Sequence, residues 1–393
     1  MVPHRAGWEE EEQSALLAVS DGRWGEAVQL YQSARLQAGN ALSANDSRIS
    51  HLDARLADLY REQGDLSKAA LLYESAIDSL RGSDQPDGKE LAVCLSHLGS
   101  IARSQGKIFK AELLFREALA TGEEAFGAES LPVAACHNNL ALVYTGLEDY
   151  SRAEHHALKA REINEKLAAP GDPAIATSLN NLARVYFSKG DLVLAADLYR
   201  QAAVLAESAQ PVDAVQLALF LTNQAKVRQA LGDYAGAEEL LTRALVLRRE
   251  ARGQDHPEVA AALNTLAGLY FEQKRFGEAE YAYRQALDIL EEASGVNHPD
   301  VGGTLSSLAR VLSAQGLNAD AGLLHQRAVL ILETALGSKH PSLAGPLENY
   351  ADYLRMMDFD LEAEVVEQKA KNILAAGTQP HTITPETGSP NTN

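Results

Sequence analysis

The chain has 393 residues, 46% of them hydrophobic and few aromatic, with Lys+Arg at 35 against Asp+Glu at 54 for a net charge of -19. That charge works against nucleic acid or an anionic membrane as the main partner, and without a run of about 18 apolar residues no membrane insertion is expected. Cys94 and Cys136 are too few for a disulfide framework and lack the short spacing of a zinc site.

The opening "MVPHRAGWEEEEQ" is acidic where a signal peptide would be basic and then apolar, which predicts a cytoplasmic protein. From residue 8 the text repeats every 42 residues. Leu56-Ala57 returns as Leu98-Gly99, Leu140-Ala141, Leu182-Ala183, Gln224-Ala225, Leu266-Ala267, Leu308-Ala309 and Tyr350-Ala351 without an insertion. Twelve residues after each small residue stands an alanine, from Ala69 to Ala363, and one step back gives Ala15 and Ala27, so nine repeats are present. A third column runs from Ala34 to Ala370.

Each repeat predicts two helices. The first carries Leu-Ala and then Tyr60, Tyr144, Tyr186 or Tyr270; a break follows, marked by Gly22, Gly64, Gly106, Gly190, Gly232 or Gly316. In the second helix Tyr31, Tyr73, Phe115, Tyr199 and Tyr283 plug the space between neighbours that the alanines leave. This order of small residue, Tyr, Gly, Ala, aromatic and Ala is the tetratricopeptide pattern. The fold class it predicts is all-α: a right-handed superhelical α-solenoid over residues 8–376, its concave side lined by the first helices. Residues 377–393, "GTQPHTITPETGSPNTN", have little to bury and are expected to form a disordered tail.

The usual tetratricopeptide period is about 34 residues, so the extra length here falls after the third alanine column, in the second helix and its exit loop. Those loops include "GQDHPEVA", "GVNHPDVG" and "GSKHPSLA", with Pro257, Pro299 and Pro341 suited to the first turn of the next helix. In period, "LNN" tripeptides and His-Pro loops the chain resembles the repeats of kinesin light chains, without the heptad coiled coil expected before them.

No chemistry-bearing motif emerges. "GSDQPDGKE" lacks the Walker spacing and its Ser/Thr, and no serine-hydrolase, zincin or dinucleotide motif occurs. His256, His298 and His340 recur once per repeat, too far apart to share a metal when packed helices lie about 8 to 10 Å apart. They read as loop residues at helix starts. His155 and His156 diverge by about 100° around a helix. Cys94 and Cys136 sit at one position of adjacent repeats, beyond the ~7 Å a bridge allows, and read as buried thiols. No catalytic residue, metal or cofactor is expected.

What stacking leaves over on the first helices is polar. One column holds Asn138, Asn180, Thr222, Asn264 and Ser306; its neighbour holds Asn139, Asn181, Asn223, Thr265 and Ser307. One turn later come Arg184, Lys226 and Arg310, with Arg103 and Arg355 a turn beyond. An amide offers a donor and an acceptor, which suits the backbone of an extended peptide, and the cations favour carboxylates or phosphates on it. The resemblance to kinesin light chains implies the same for Asn138, Asn139, Asn180 and Asn181, and for Asn223 and Asn264 where half of the pair survives. The plainer alternative is that the asparagines bond between neighbouring helices. A carboxylate clamp for chaperone tails would need cations at Val93, Ala135, Thr177, Leu219 and Ala261, where none stands. The expected function is a non-enzymatic scaffold or adaptor for an extended, partly acidic peptide segment of a partner protein; the alternative is a peptide sensor that controls a partner enzyme through its superhelix.

Overall fold

The alanine columns explain why the helices can pair. A methyl group fits where two helix backbones approach closely and a longer side chain does not. Ala27, Ala69, Ala111, Ala153, Ala195, Ala237, Ala279, Ala321 and Ala363 are all fully buried.

The computed structural model of the protein describes residues 7–43, 46–83, 86–169 and 171–378. Among these residues there are eighteen α-helices and one 3-10 turn, with no strand. They fall into two compact units that meet in the chain at Ala209 and Gln210. Unit 1 holds five helix pairs: α1 (Gly7–Ser20) with α2 (Trp24–Ala41), α3 (Ser47–Glu62) with α4 (Leu66–Arg81), α5 (Gly88–Ser104) with α6 (Ile108–Phe126), α7 (Leu131–Gly146) with α8 (Tyr150–Leu167), and α9 (Pro173–Lys189) with α10 (Leu192–Ser208). Unit 2 holds four: α11 (Ala214–Ala230) with α12 (Tyr234–Arg252), α13 (Pro257–Glu272) with α14 (Phe276–Ser294), α15 (Pro299–Ala314) with α16 (Asn318–Leu336), and α17 (Ala344–Met356), entered through the turn Pro341–Leu343, with α18 (Asp360–Thr378). The nine tandem helix pairs are those the repeat predicts. Residues 379–393, most of the expected tail, lie outside the described residues.

The turn inside each pair needs one residue with positive φ. Gly22, Gly64, Gly106, Gly190, Gly232 and Gly316 supply it, with φ between 71° and 88°. In the other three repeats Glu148, Lys274 and Asp358 take the same conformation, at φ 58°, 61° and 63°, against a steric preference that favours glycine there. Where Asp follows the glycine it caps the second helix: the Asp65 carboxylate accepts from Lys68 N at 3.1 Å and that of Asp191 from Leu194 N at 3.2 Å.

The extra length lies where the period places it. α6, α12, α14 and α16 each run to 19 residues. At the next helix start His256, His298 and His340 are N-caps, each accepting through Nδ1 the backbone N–H two residues on, with proline as the first residue of the following element. Repeats are tied to their predecessors by a recurring bond: the hydroxyls of Tyr144, Tyr186 and Tyr270 donate to Glu112, Glu154 and Glu238 at 3.0, 2.7 and 3.2 Å. Cys94 and Cys136 are free and buried, and burial pushes their thiols up to about 12 and about 11. In the last repeat Glu367 replaces the aromatic plug and pairs with Arg355 and Lys371. Among the described residues no helix is long and apolar enough to cross a membrane.

Candidate functional site

In unit 1 the first helices α5, α7 and α9 lie side by side, α7 touching both others. Their apolar columns face the second helices, so the polar columns are carried on the remaining arc. Depth there differs from a fully open stripe. Asn138 on α7 and Asn180 and Asn181 on α9 are buried, and Asn139 is half-buried. Asn139 Nδ2 donates to Ser96 Oγ on α5 at 3.4 Å, and Asn180 Nδ2 donates to Asn181 Oδ1 at 3.4 Å. Part of the amide capacity is thus used between neighbours. The carbonyl oxygen of Asn138 is buried and has no partner.

Two cations complete this region. Arg184 is half-buried, and its guanidinium is held below its ordinary range first by burial and then by the charge of Arg103. Arg103 on α5 is lowered by burial, and its Nε is buried without a partner. Neither arginine has an ion pair among the described residues. Two guanidinium groups that repel one another while partly removed from water are stabilised by an anion placed between them.

In unit 2 the remaining candidates are spread over three first helices. Asn223 is half-buried and Lys226 exposed on α11. Asn264 on α13 is half-buried and donates from Nδ2 to Thr304 Oγ1 on α15 at 2.8 Å, while its own carbonyl oxygen is buried without a partner. Arg310 on α15 is exposed, its guanidinium 4.7 Å from the centre of the Phe271 ring. Beside α15 lies a cavity of about 370 Å³ reaching from Pro257 to Ser342.

Two features escaped the sequence reading. His137 and His156 face each other with Nδ1 atoms 2.8 Å apart, one donating and the other accepting, and burial lowers each to about 4. His325 occupies the aromatic column in the eighth repeat, buried, with both ring nitrogens unpartnered, and burial lowers it to about 4. Stepping the Tyr283 column forward by one period finds it. Among the described residues no group of three or more His, Cys, Asp or Glu could hold a metal ion.

Tandem helix pairs stacked through alanine columns, with polar arcs on their first helices, define an α-solenoid of the protein-interaction class. The chain belongs to the tetratricopeptide repeat family, whose models match residues 52–87, 90–166, 138–208, 216–292 and 301–342. No curated protein matches it. Among solved structures it is similar to a Rap protein complexed with Competence and Sporulation Factor, at TM-score 0.62 and 14% identity over 94% of this chain and 98% of that one. The apo quorum sensor NprR from B. thuringiensis is similar at TM-score 0.60 and 15% identity, over 93% and 98%. Nearly identical repeats of a putative kinesin light chain from Podosopora anserina match at TM-score 0.44 and 22% identity, over 50% of this chain and 93% of that one.

Proposed function

We propose that the protein is a non-enzymatic scaffold or adaptor that holds a short, extended, partly acidic segment of another protein along its first helices. The observation that carries this is the pair Arg103 and Arg184, both partly buried on the first helices that flank α7 and without an ion pair among the described residues. The unpartnered carbonyl of Asn138 on the intervening helix supplies the acceptor that a peptide N–H requires. An acidic side chain between the arginines and a backbone amide on Asn138 would satisfy all three groups. Fluorescence anisotropy with a labelled nonapeptide of Glu and Ser tests this. The variant Arg103→Gln/Arg184→Gln is expected to bind at least about tenfold more weakly, the scale of one charge-assisted hydrogen bond; an unchanged affinity sinks the assignment.

A second reading, a peptide sensor, draws support from the quorum sensor and the Rap protein among the similar structures. Under it, binding changes the dimensions of the chain. Small-angle scattering with and without the bound peptide decides: identical profiles leave only the scaffold.

A further inference from the structure

Gly302 and Gly303 are adjacent on α15, and their surroundings differ. A Cβ on Gly302 would stand 2.8 Å from Leu332 Cγ and 3.2 Å from the carbonyl oxygen of Ala328, so that glycine lets α16 approach. A Cβ on Gly303 would meet nothing within 4 Å. Glycine inside a helix is less stable than alanine by roughly 1 kcal/mol, and packing gives no reason for it at this position. Its column reads Val93, Ala135, Thr177, Leu219, Ala261, Gly303 and Gly345, with Val93 and Leu219 exposed, and of the two glycines only Gly303 lines a cavity. What the missing side chain opens is the cavity of about 370 Å³, walled by Ala261, Leu290, Leu332 and Leu336.

We infer that this cavity is the anchor pocket for one aliphatic side chain of an extended segment bound along the first helices of unit 2, and that an acidic residue three positions away on that segment reaches Arg310. The inference rests on the groove being a peptide site. Three observations on unit 2 converge on this occupant. One wall of the cavity, formed by Ala261, Leu290, Leu332 and Leu336, is apolar, while Asp300, Thr304 and Ser307 make the other side polar, and its volume leaves room for a side chain and the backbone that carries it. On its edge Asn264 holds a buried carbonyl oxygen with no partner, an acceptor for a backbone N–H of the segment. Arg310 is exposed and has no ion pair among the described residues. It follows Gly303 by seven residues, hence lies on the same helix face about 10 Å further along. Three extended residues span about that distance. Leucine, isoleucine or methionine fits the pocket, and glutamate or aspartate fits the cation.

The test uses the full chain and fluorescein-labelled nonapeptides carrying one Leu and one Glu three positions apart, in both orders, in a Ser/Thr background. Gly303→Leu restores the residue of Leu219 and replaces a helical glycine, so its melting temperature is expected to hold or rise. Its affinity for the better peptide is expected to fall at least about tenfold, to the level that wild type shows for the same peptide with Leu replaced by Gly. Arg310→Gln is expected to weaken the Glu peptide and leave its Gln counterpart unchanged. If wild type binds and Gly303→Leu binds equally well, the anchor pocket is overturned while the groove reading stands. If wild type binds neither order, and also fails with the Glu/Ser nonapeptide, both fall together.

Discussion

Unit 1 fills the aromatic column between its repeats with Tyr31, Tyr73, Phe115 and Tyr199, broken only by Ala157, whereas unit 2 keeps Tyr283 alone and places Leu241, His325 and Glu367 elsewhere. The two units thus meet one packing requirement by different means. In unit 1 the plug is a ring buried among small residues; even Gly99 is fixed by it, since a Cβ there would lie 2.9 Å from Phe115. In unit 2 polar groups intrude on the same column, and one of them, His325, brings two unsatisfied nitrogens into the interior. The repeat tolerates loss of its ring when neighbouring side chains compensate: His325 stacks on Tyr350 and lies tilted against Tyr353, with ring centres 5.7 and 5.3 Å away.

The largest effect expected tests the ring itself. Phe115→Ala should cost about 3 to 5 kcal/mol and Leu241→Ala about 2 to 3 kcal/mol, because the larger plug leaves the larger void. Chemical denaturation measures both, and equal losses would break the comparison. Acid comes next. His137, His156 and His325 are each lowered to about 4 by burial, so the folded chain holds them neutral while the unfolded chain takes up protons below about 6.5. Stability is therefore fully present above that pH and is lost as pH falls toward 4, on the order of 3 kcal/mol for His325 and in the same direction for the coupled pair His137 and His156. Two of the three lie in unit 1. Amide exchange at pH 7 and pH 5 should show the α7–α8 pair losing more protection than α16, and no change would refute the burial of these rings in neutral form.

Smaller is His325→Phe, which restores the column and removes two unsatisfied nitrogens; a gain of about 1 to 3 kcal/mol is expected, and a loss would mean that the imidazole has a partner in solution. Smallest are Glu148→Gly in unit 1 and Lys274→Gly in unit 2. Each relieves a left-handed residue and should add about 1 kcal/mol or less, after the extra flexibility that glycine gives the unfolded chain. Thermal melts of the two variants should shift upward together, since both turns have the same geometry.

The helix pairs, their turns and the buried columns were legible in the sequence because a strict period converts composition into position. Six of the nine turns announced themselves as glycine, and the histidine caps as His-Pro. Burial of the amides was not legible: Asn139 meets Ser96 across a repeat boundary, and spacing along one chain does not say how deep a neighbour's side chain reaches. The contact of His137 with His156 was hidden for a similar reason, since it joins two helices of one repeat through rings whose rotamers no pattern encodes. Arg184 was found as a candidate, but its isolation with Arg103 is a fact of three-dimensional electrostatics. Gly303 could have been read as the gap in the column of Val93 and Leu219.

The tyrosine bonds from Tyr144 to Glu112, Tyr186 to Glu154 and Tyr270 to Glu238 each leave one repeat and end in the one before. A block of 42 residues therefore carries its donor with it and borrows its acceptor. Duplication or excision of one whole period by unequal recombination rejoins donor to acceptor wherever the flanking repeats carry the pair, whatever the phase of the cut, while a cut of any other length strands a phenol opposite the wrong carboxylate. The bond thus marks the phase in which one repeat can follow another.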